Sequence, residues 1–173
     1  MIQSLEEIPG WTHYWQHDYF PELVKLLPDN PNVLELGCGY GRSTWAWLNA
    51  LPLHTKFYIV DNFTLEDYNS QTQKEYFLNT IEQHPKFTVI KKIFHEDYES
   101  WEKNNNLNFD LVYIDADHRY EQITKQLEYF KNVPILCGDD YEYKHPGVVK
   151  AVDEFKVKYT KKFTLIKNFF ILQ

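Results

Sequence analysis

Cysteine is scarce in this chain. Only Cys38 and Cys137 occur in 173 residues, too few for a disulfide framework. Each falls at or beside the end of an expected strand, where a small apolar side chain packs well, so both read as structural. No apolar run approaches the length of a membrane span. The first residues carry Glu6, Glu7 and Pro9 without an apolar stretch, so a secretory leader is not expected. Basic excess is also missing. Lys and Arg total 18 against 25 Asp and Glu, and the net charge of −7 lacks the positive footprint of a nucleic-acid binder. Repeats and flexible linkers are absent, and the length suits one domain over residues 1–173. A reducing cytoplasm fits these features. What is abundant is aromatic: 13 Tyr, 12 Phe and 5 Trp, enough to fill a core and still line a pocket.

The periodicities alternate. Residues 1–31 read as an N-terminal helical segment. Trp11, Trp15 and Tyr19 recur at every fourth position, and Pro21 opens a helix that turns Leu23, Leu26 and Leu27 inward. This segment either forms a lid or completes the core. Strands are expected at Val33–Leu36, Phe57–Asp61, Phe87–Ile93, Phe109–Asp115 and Val133–Gly138. Helices are expected between them: one to about Ala50, one capped by Ser70 and Gln73 with Tyr76, Phe77 and Ile81 inward, and one carrying Tyr98 and Trp101. A further helix has Tyr120, Ile123, Leu127 and Phe130 on one face. Pro146 starts another, with Val149, Val152 and Phe155 buried. Phe163–Ile166 and Phe169–Leu172 flank Lys167-Asn168 as a hairpin. Strands alternating with helices imply an α/β fold whose mostly parallel sheet is covered on both faces.

The first strand runs into Gly37, Gly39 and Gly41, and a helix begins at once. A strand that bends into a helix without side chains lets a ligand touch backbone, and the helix points free N–H groups at it. A dinucleotide fold wants its third glycine one residue later, where Arg42 stands. Glu35 lies two residues before the first glycine. Asp61 follows Gly41 by 20 residues, close to the offset at which an acid meets ribose hydroxyls. In an open parallel sheet the ligand crevice lies at the carboxyl ends of the strands. Gly37–Gly41, Asp61, Asp115 and the pair Asp139-Asp140 all fall at such ends. Several acids on one rim repel one another, and Mg²⁺ with oxygen ligands is one way to offset them. The other reading makes Asp139-Asp140 turn formers and has Asp117 brace Arg119.

The pattern from Glu35 through Gly37, Gly39 and Gly41 resembles motif I of the class I S-adenosylmethionine (SAM)-dependent methyltransferases. Asp115-Ala116-Asp117-His118-Arg119-Tyr120 and Gly138-Asp139-Asp140-Tyr141 are similar to the D-x-D-H-x-Y and G-D-D-Y signatures of methyltransferase family 24. That family is related to the macrocin-type sugar O-methyltransferases and, more distantly, to the catechol type. The resemblance spans about Trp11 to Phe155. It implies a Rossmann-like class I methyltransferase sandwich, with a seven-stranded sheet closed by the antiparallel hairpin. It implies SAM held by Glu35, Gly37, Gly39, Gly41, Ser43, Asp61 and Asp115. His95 stands where relatives hold adenine through a G-x-S-like segment. It implies Mg²⁺ on Asp115, Asp139 and Asp140, with Asp117 as an alternative ligand, and Asp115 or His118 as the base. The expected reaction is methylation of a sugar or small-metabolite hydroxyl, with no nucleic-acid or membrane partner and a homodimer as an option. A SAM-binding module without turnover, or an NAD-linked Rossmann enzyme, are the alternatives.

Overall fold

A computed structural model describes residues 2, 4–11, 18–95 and 107–173. The expected aromatic face at Trp15 and the expected helix with Tyr98 and Trp101 lie outside these residues. The described elements are α1 (Phe20–Val24), β1 (Asn32–Leu36), α2 (Arg42–Ala50), β2 (Lys56–Asp61), α3 (Gln73–Ile81), β3 (Ile90–His95) and β4 (Leu111–Ile114). They continue with α4 (Tyr120–Tyr129), β5 (Ile135–Gly138), α5 (Pro146–Lys158), β6 (Phe163–Ile166) and β7 (Phe169–Leu172). Among the described residues, no helix is long and apolar enough to cross a membrane.

The seven strands form one sheet in the order β3-β2-β1-β4-β5-β7-β6. The first five pair in parallel; β7 pairs antiparallel with both β5 and β6. The fold is therefore the α/β sandwich with a closing antiparallel hairpin that the sequence implied. Parallel strands covered on both faces must be apolar on both, and each strand here serves two cores. Val33, Leu111, Tyr113, Ile135, Cys137, Phe169 and Ile171 face one cluster, which α2 and α3 cover with Trp47, Leu48, Phe77 and Ile81. Leu34, Leu36, Val112, Ile114, Leu136, Phe170 and Leu172 face the other, covered by Ile123 and Leu127 of α4 and Val148, Val152 and Phe155 of α5. Phe20 of α1 stacks on Trp47 with centroids 3.8 Å apart, which fixes the N-terminal segment to the first core.

Four local expectations need correction. Leu26, expected inward with Leu23 and Leu27, is exposed, because α1 ends at Val24. The capping box of α3 is Thr72 with Glu75, not Ser70 with Gln73. Thr72 accepts from the Glu75 amide, and Gln73 is drawn into the interior instead. Residues Phe87–Val89 form a 3-10 turn before β3, which starts three residues later than the apolar run suggested. In α5 the buried stripe is Val148, Ala151, Val152 and Phe155; Val149 is only half-buried. Its apolar neighbours at 148 and 152 already fill the face towards α4.

Candidate methyl-transfer site

Strand register sets the site. Leu36 lies opposite Val60 on one side and Ile114 on the other, and Ile114 lies opposite Gly138. The residues just beyond these pairs, Gly37, Asp61, Asp115 and Asp139, therefore share one rim. The chain leaves β1 towards β2 and β3 on one side and then crosses back from β3 to β4 on the other, so the rim sits at the topological switch point where such sheets bind ligands. A cavity of about 1220 Å³ opens there. That exceeds the space one drug-sized ligand needs and leaves room for a cofactor and an acceptor. Gly37–Tyr40, Arg42, Ser43, Asp61, Asp115, His118, Asp139, Asp140 and His145 all line it.

The glycine turn is dictated by close approach. Gly37 has φ +84°, and a Cβ there would stand 2.1 Å from the Asp115 carbonyl oxygen. At Gly39, φ is +53°, and a Cβ would meet only Leu65 at 3.9 Å. Gly39 thus presents bare backbone to the cavity. Asp61 holds this turn open: its Oδ2 accepts from the Cys38 amide at 2.8 Å and the Gly39 amide at 3.2 Å, and its Oδ1 from Phe63 N at 2.6 Å. The strand-end carboxylate that the sequence assigned to ribose also shapes the phosphate-free loop beside it.

Glu35 lies behind the turn and does not line the cavity. It points to the α2 side of β1, fully buried. It accepts hydrogen bonds from Ser43 Oγ at 2.5 Å and Thr44 Oγ1 at 2.6 Å in the first turn of α2. Burial lifts its carboxyl to about 8, against the pull of the two hydroxyls. Its role here is to join strand to helix. His95 also stays outside the cavity lining. Its exposed ring is 5.3 Å from Phe63 and 3.2 Å from the Lys74 amine.

Gln73 and Arg42 line the cavity in roles the sequence does not announce. Gln73 donates to the Gly39 carbonyl at 3.0 Å and accepts from the Leu65 amide at 2.7 Å, which sews the loop after β2 onto the glycine turn. Arg42, noted only as a misplaced glycine, donates from Nε to the Ile8 carbonyl at 2.6 Å. It ties residues 8–10 across the mouth, where Trp11 lies 6.4 Å from Tyr40. Neither role has a local pattern, since each partner is distant in sequence.

At the far end, buried Tyr113 donates to Asp115 Oδ2 at 2.8 Å and orients that carboxylate. His118 Nε2 is 3.7 Å from Asp115 Oδ1 and 3.0 Å from Asp140 Oδ2. Asp115 beside it raises the imidazole above its ordinary range; burial opposes this, and Asp140 adds to it. Asp140 is itself pushed up by burial and by Asp115, while His118 and His145 pull it down. Asp117 turns away to the Arg119 guanidinium, 2.5 Å from its terminal nitrogen, which fits bracing and not ligation. Cys38 and Cys137 are buried and unbridged.

Mg²⁺ asks for oxygen ligands in near-octahedral array. Asp139 Oδ1 accepts from the Asp140 amide at 2.8 Å and Asp115 Oδ2 from Tyr113 at 2.8 Å, which leaves each carboxylate one oxygen without these bonds. Among the described residues, the metal-competent donors that converge are His118, Asp140 and His145, two of them imidazoles. The expected set of Asp115, Asp139 and Asp140 does not converge that closely here.

A glycine bend at the switch point, an acid at the tip of β2 and a reversed β7 are features of the class I methyltransferase fold. The model of a family described as a methyltransferase domain matches residues 34–134, more than half of the chain, and the chain belongs to that family. Solved structures agree on the fold. An O-methyltransferase from Bacillus cereus in complex with S-adenosylhomocysteine (SAH) superposes with a TM-score of 0.65 at 16% identity, covering 96% of this chain and 84% of that one. The O-methyltransferase TomG from Streptomyces achromogenes, involved in tomaymycin synthesis and solved with SAM, gives 0.64 at 14% identity, covering 94% and 80%. CalS11, a TDP-rhamnose 3'-O-methyltransferase of calicheamicin biosynthesis, gives 0.65 at 16% identity, covering 92% and 77%. No curated protein matches the sequence significantly.

Proposed function

We propose that this protein transfers the methyl group of SAM to a hydroxyl of a sugar or other small metabolite. The observation that carries this reading is the shared cavity: the bare Gly39 backbone and Asp61 at one end, Asp115 and His118 at the other. Asp61 meets the ribose hydroxyls, and the turn from Gly37 to Gly41 with Ser43 cradles the rest of the nucleoside. The acceptor hydroxyl lies against Asp115 and His118. One of these takes its proton as the oxygen attacks. A C–O bond forms, the S–CH₃ bond breaks in line, and SAH leaves. Tyr113 keeps Asp115 aimed at that point, and positioning supplies much of the rate. No step of this mechanism is routed through Mg²⁺.

Residues 1–173 form one methyltransferase domain on this reading, and the N-terminal segment acts as a lid. The Arg42 bond to Ile8 and the nearness of Trp11 to Tyr40 support the lid. Two buried, reduced cysteines support a cytoplasmic location. A homodimer would close the open side of the cavity.

Calorimetric titration with SAM, SAH and NAD, followed by mass-spectrometric assay against a panel of sugar nucleotides and catechols, tests the proposal. SAM and SAH should bind and NAD should not. Asp115→Asn should lower methyl transfer while SAM binding persists. Tight NAD binding without SAM binding would overturn the reading. SAM binding with no methyl transfer to any hydroxyl would favour a cofactor-binding module.

A further inference from the structure

We infer that His118, Asp140 and His145 form a two-histidine, one-carboxylate site for a divalent transition ion, at the acceptor end of the cavity. The donor atoms of the three residues all lie within 4.8 Å of one another. His118 Nε2 is 3.0 Å from Asp140 Oδ2, and His145 Nε2 is 3.6 Å from Asp140 Oδ1. Donors around an ion at about 2.1 Å stand roughly 3.4 Å apart in a tetrahedral site, so little movement is needed.

Both histidines lie within ion-pair reach of Asp140, yet hydrogen bonding is incomplete there. Here the buried His118 Nε2 has no hydrogen-bond partner even with an Asp140 oxygen so near. Both rings turn Nε2 to the same carboxylate, and they meet edge to face with centroids 4.5 Å apart. An ion seated against Asp140 would give the unpartnered His118 Nε2 a partner.

The backbone is arranged to bring these groups together. Asp140 holds φ at +62°, a left-handed conformation that L residues avoid, in the turn after β5. His145 is the N-cap of α5. The first turn of that helix packs on the segment bearing His118: a Cβ at Gly147 would lie 2.5 Å from the His118 carbonyl oxygen. Without glycine there, the two histidines would stand further apart.

Two imidazoles and a carboxylate suit Zn²⁺, Co²⁺, Mn²⁺ or Fe²⁺, whereas Mg²⁺ prefers oxygen. The biological role of such an ion rests on the methyl-transfer reading above; its binding does not. With His118 committed to the ion, Asp115 is the residue left to take the acceptor's proton.

The test uses tag-free protein stripped with chelator. Calorimetry and equilibrium dialysis with CoCl₂, ZnCl₂, MnCl₂ and MgCl₂ should give one equivalent of Co²⁺ or Zn²⁺ and much weaker Mg²⁺. The Co²⁺ form should show visible d–d absorption. His145→Ala should lose at least about tenfold in Co²⁺ affinity, since even outer-shell changes at such sites have effects of that size. Asp139→Asn should leave that affinity unchanged. SAM titration of each variant reports whether it is folded and separates this result from failure of the methyltransferase reading. Three results overturn the site: no ion bound by the wild-type protein, Mg²⁺ bound as tightly as Co²⁺, or unchanged Co²⁺ affinity in a folded His145→Ala.

Discussion

Glu35→Gln tests the division between the residues that build the cavity and those that line it. The carboxyl is fully buried and its pKa rises from 4.5 to about 8, chiefly through burial. The folded state therefore keeps a proton that the unfolded chain gives up above about 4.5. Between pH 4.5 and 8 the unfolded state binds fewer protons, so folding stability falls as pH rises. The slope is about 1.4 kcal/mol per pH unit, or roughly 5 kcal/mol over the window if the group titrates alone. Glutamine has the same shape and no charge to lose. Its amide oxygen can accept from one of Ser43 and Thr44, and its NH₂ can donate to the other hydroxyl oxygen. Urea unfolding of both proteins at pH 5, 6, 7 and 8 should show Gln gaining on Glu at each step, with the largest gap at pH 8. Parallel profiles, or Glu gaining on Gln as pH rises, would refute the reasoning by showing that the carboxylate is ionised in the fold. SAM titration provides a second readout. Glu35 lies outside the cavity wall, so affinity should change little; a tenfold loss would return Glu35 to the ligand.

The glycine turn makes a paired prediction. Gly37→Ala should destabilise by more than about 3 kcal/mol or prevent folding, because its Cβ would overlap the Asp115 backbone at positive φ. Gly39→Ala should cost only about 1–2 kcal/mol of left-handed strain but weaken SAM binding, since its Cβ enters the cavity; thermal melts and calorimetry separate the two. Asp61→Ala leaves three backbone amides without their acceptor and should cost about 1–3 kcal/mol while SAM affinity falls at least about tenfold; unaltered affinity would remove Asp61 from the ribose. His84 is held neutral, with its pKa lowered to about 4 by burial and then by Lys86. Its Nδ1 accepts from the Lys86 amide at 3.0 Å, and protonation would abolish that bond. The unfolded chain binds the extra proton first, so stability should fall as pH drops from 6.5 towards 4. His84→Gln should flatten that limb in urea melts.

Much of the fold was legible in the chain because it is written locally. Strands buried on both faces are apolar runs, and α4 shows its face at Tyr120, Ile123 and Leu127 through simple spacing. The Lys167-Asn168 turn announced its hairpin, and the glycines marked their bend. One error of register arose where local signals compete. Ser70 and Thr72 both offer a hydroxyl three residues before a suitable partner, and only packing of Phe77 and Ile81 selects Thr72.

The sequence by itself determined which chemical groups reach the rim of the sheet, since strand ends and their acids are fixed by order along the chain. What each group does there was decided by tertiary structure. Glu35 and Asp61 are both acids flanking the glycine turn, yet one is sealed behind α2 and the other faces the cavity. His118 and His145 are 27 positions apart, and nothing in either neighbourhood points to the other. They meet only because Gly147 lets α5 settle against the loop after β4. Side-chain direction and distance depend on how the layers stack, and that information is spread over the whole chain.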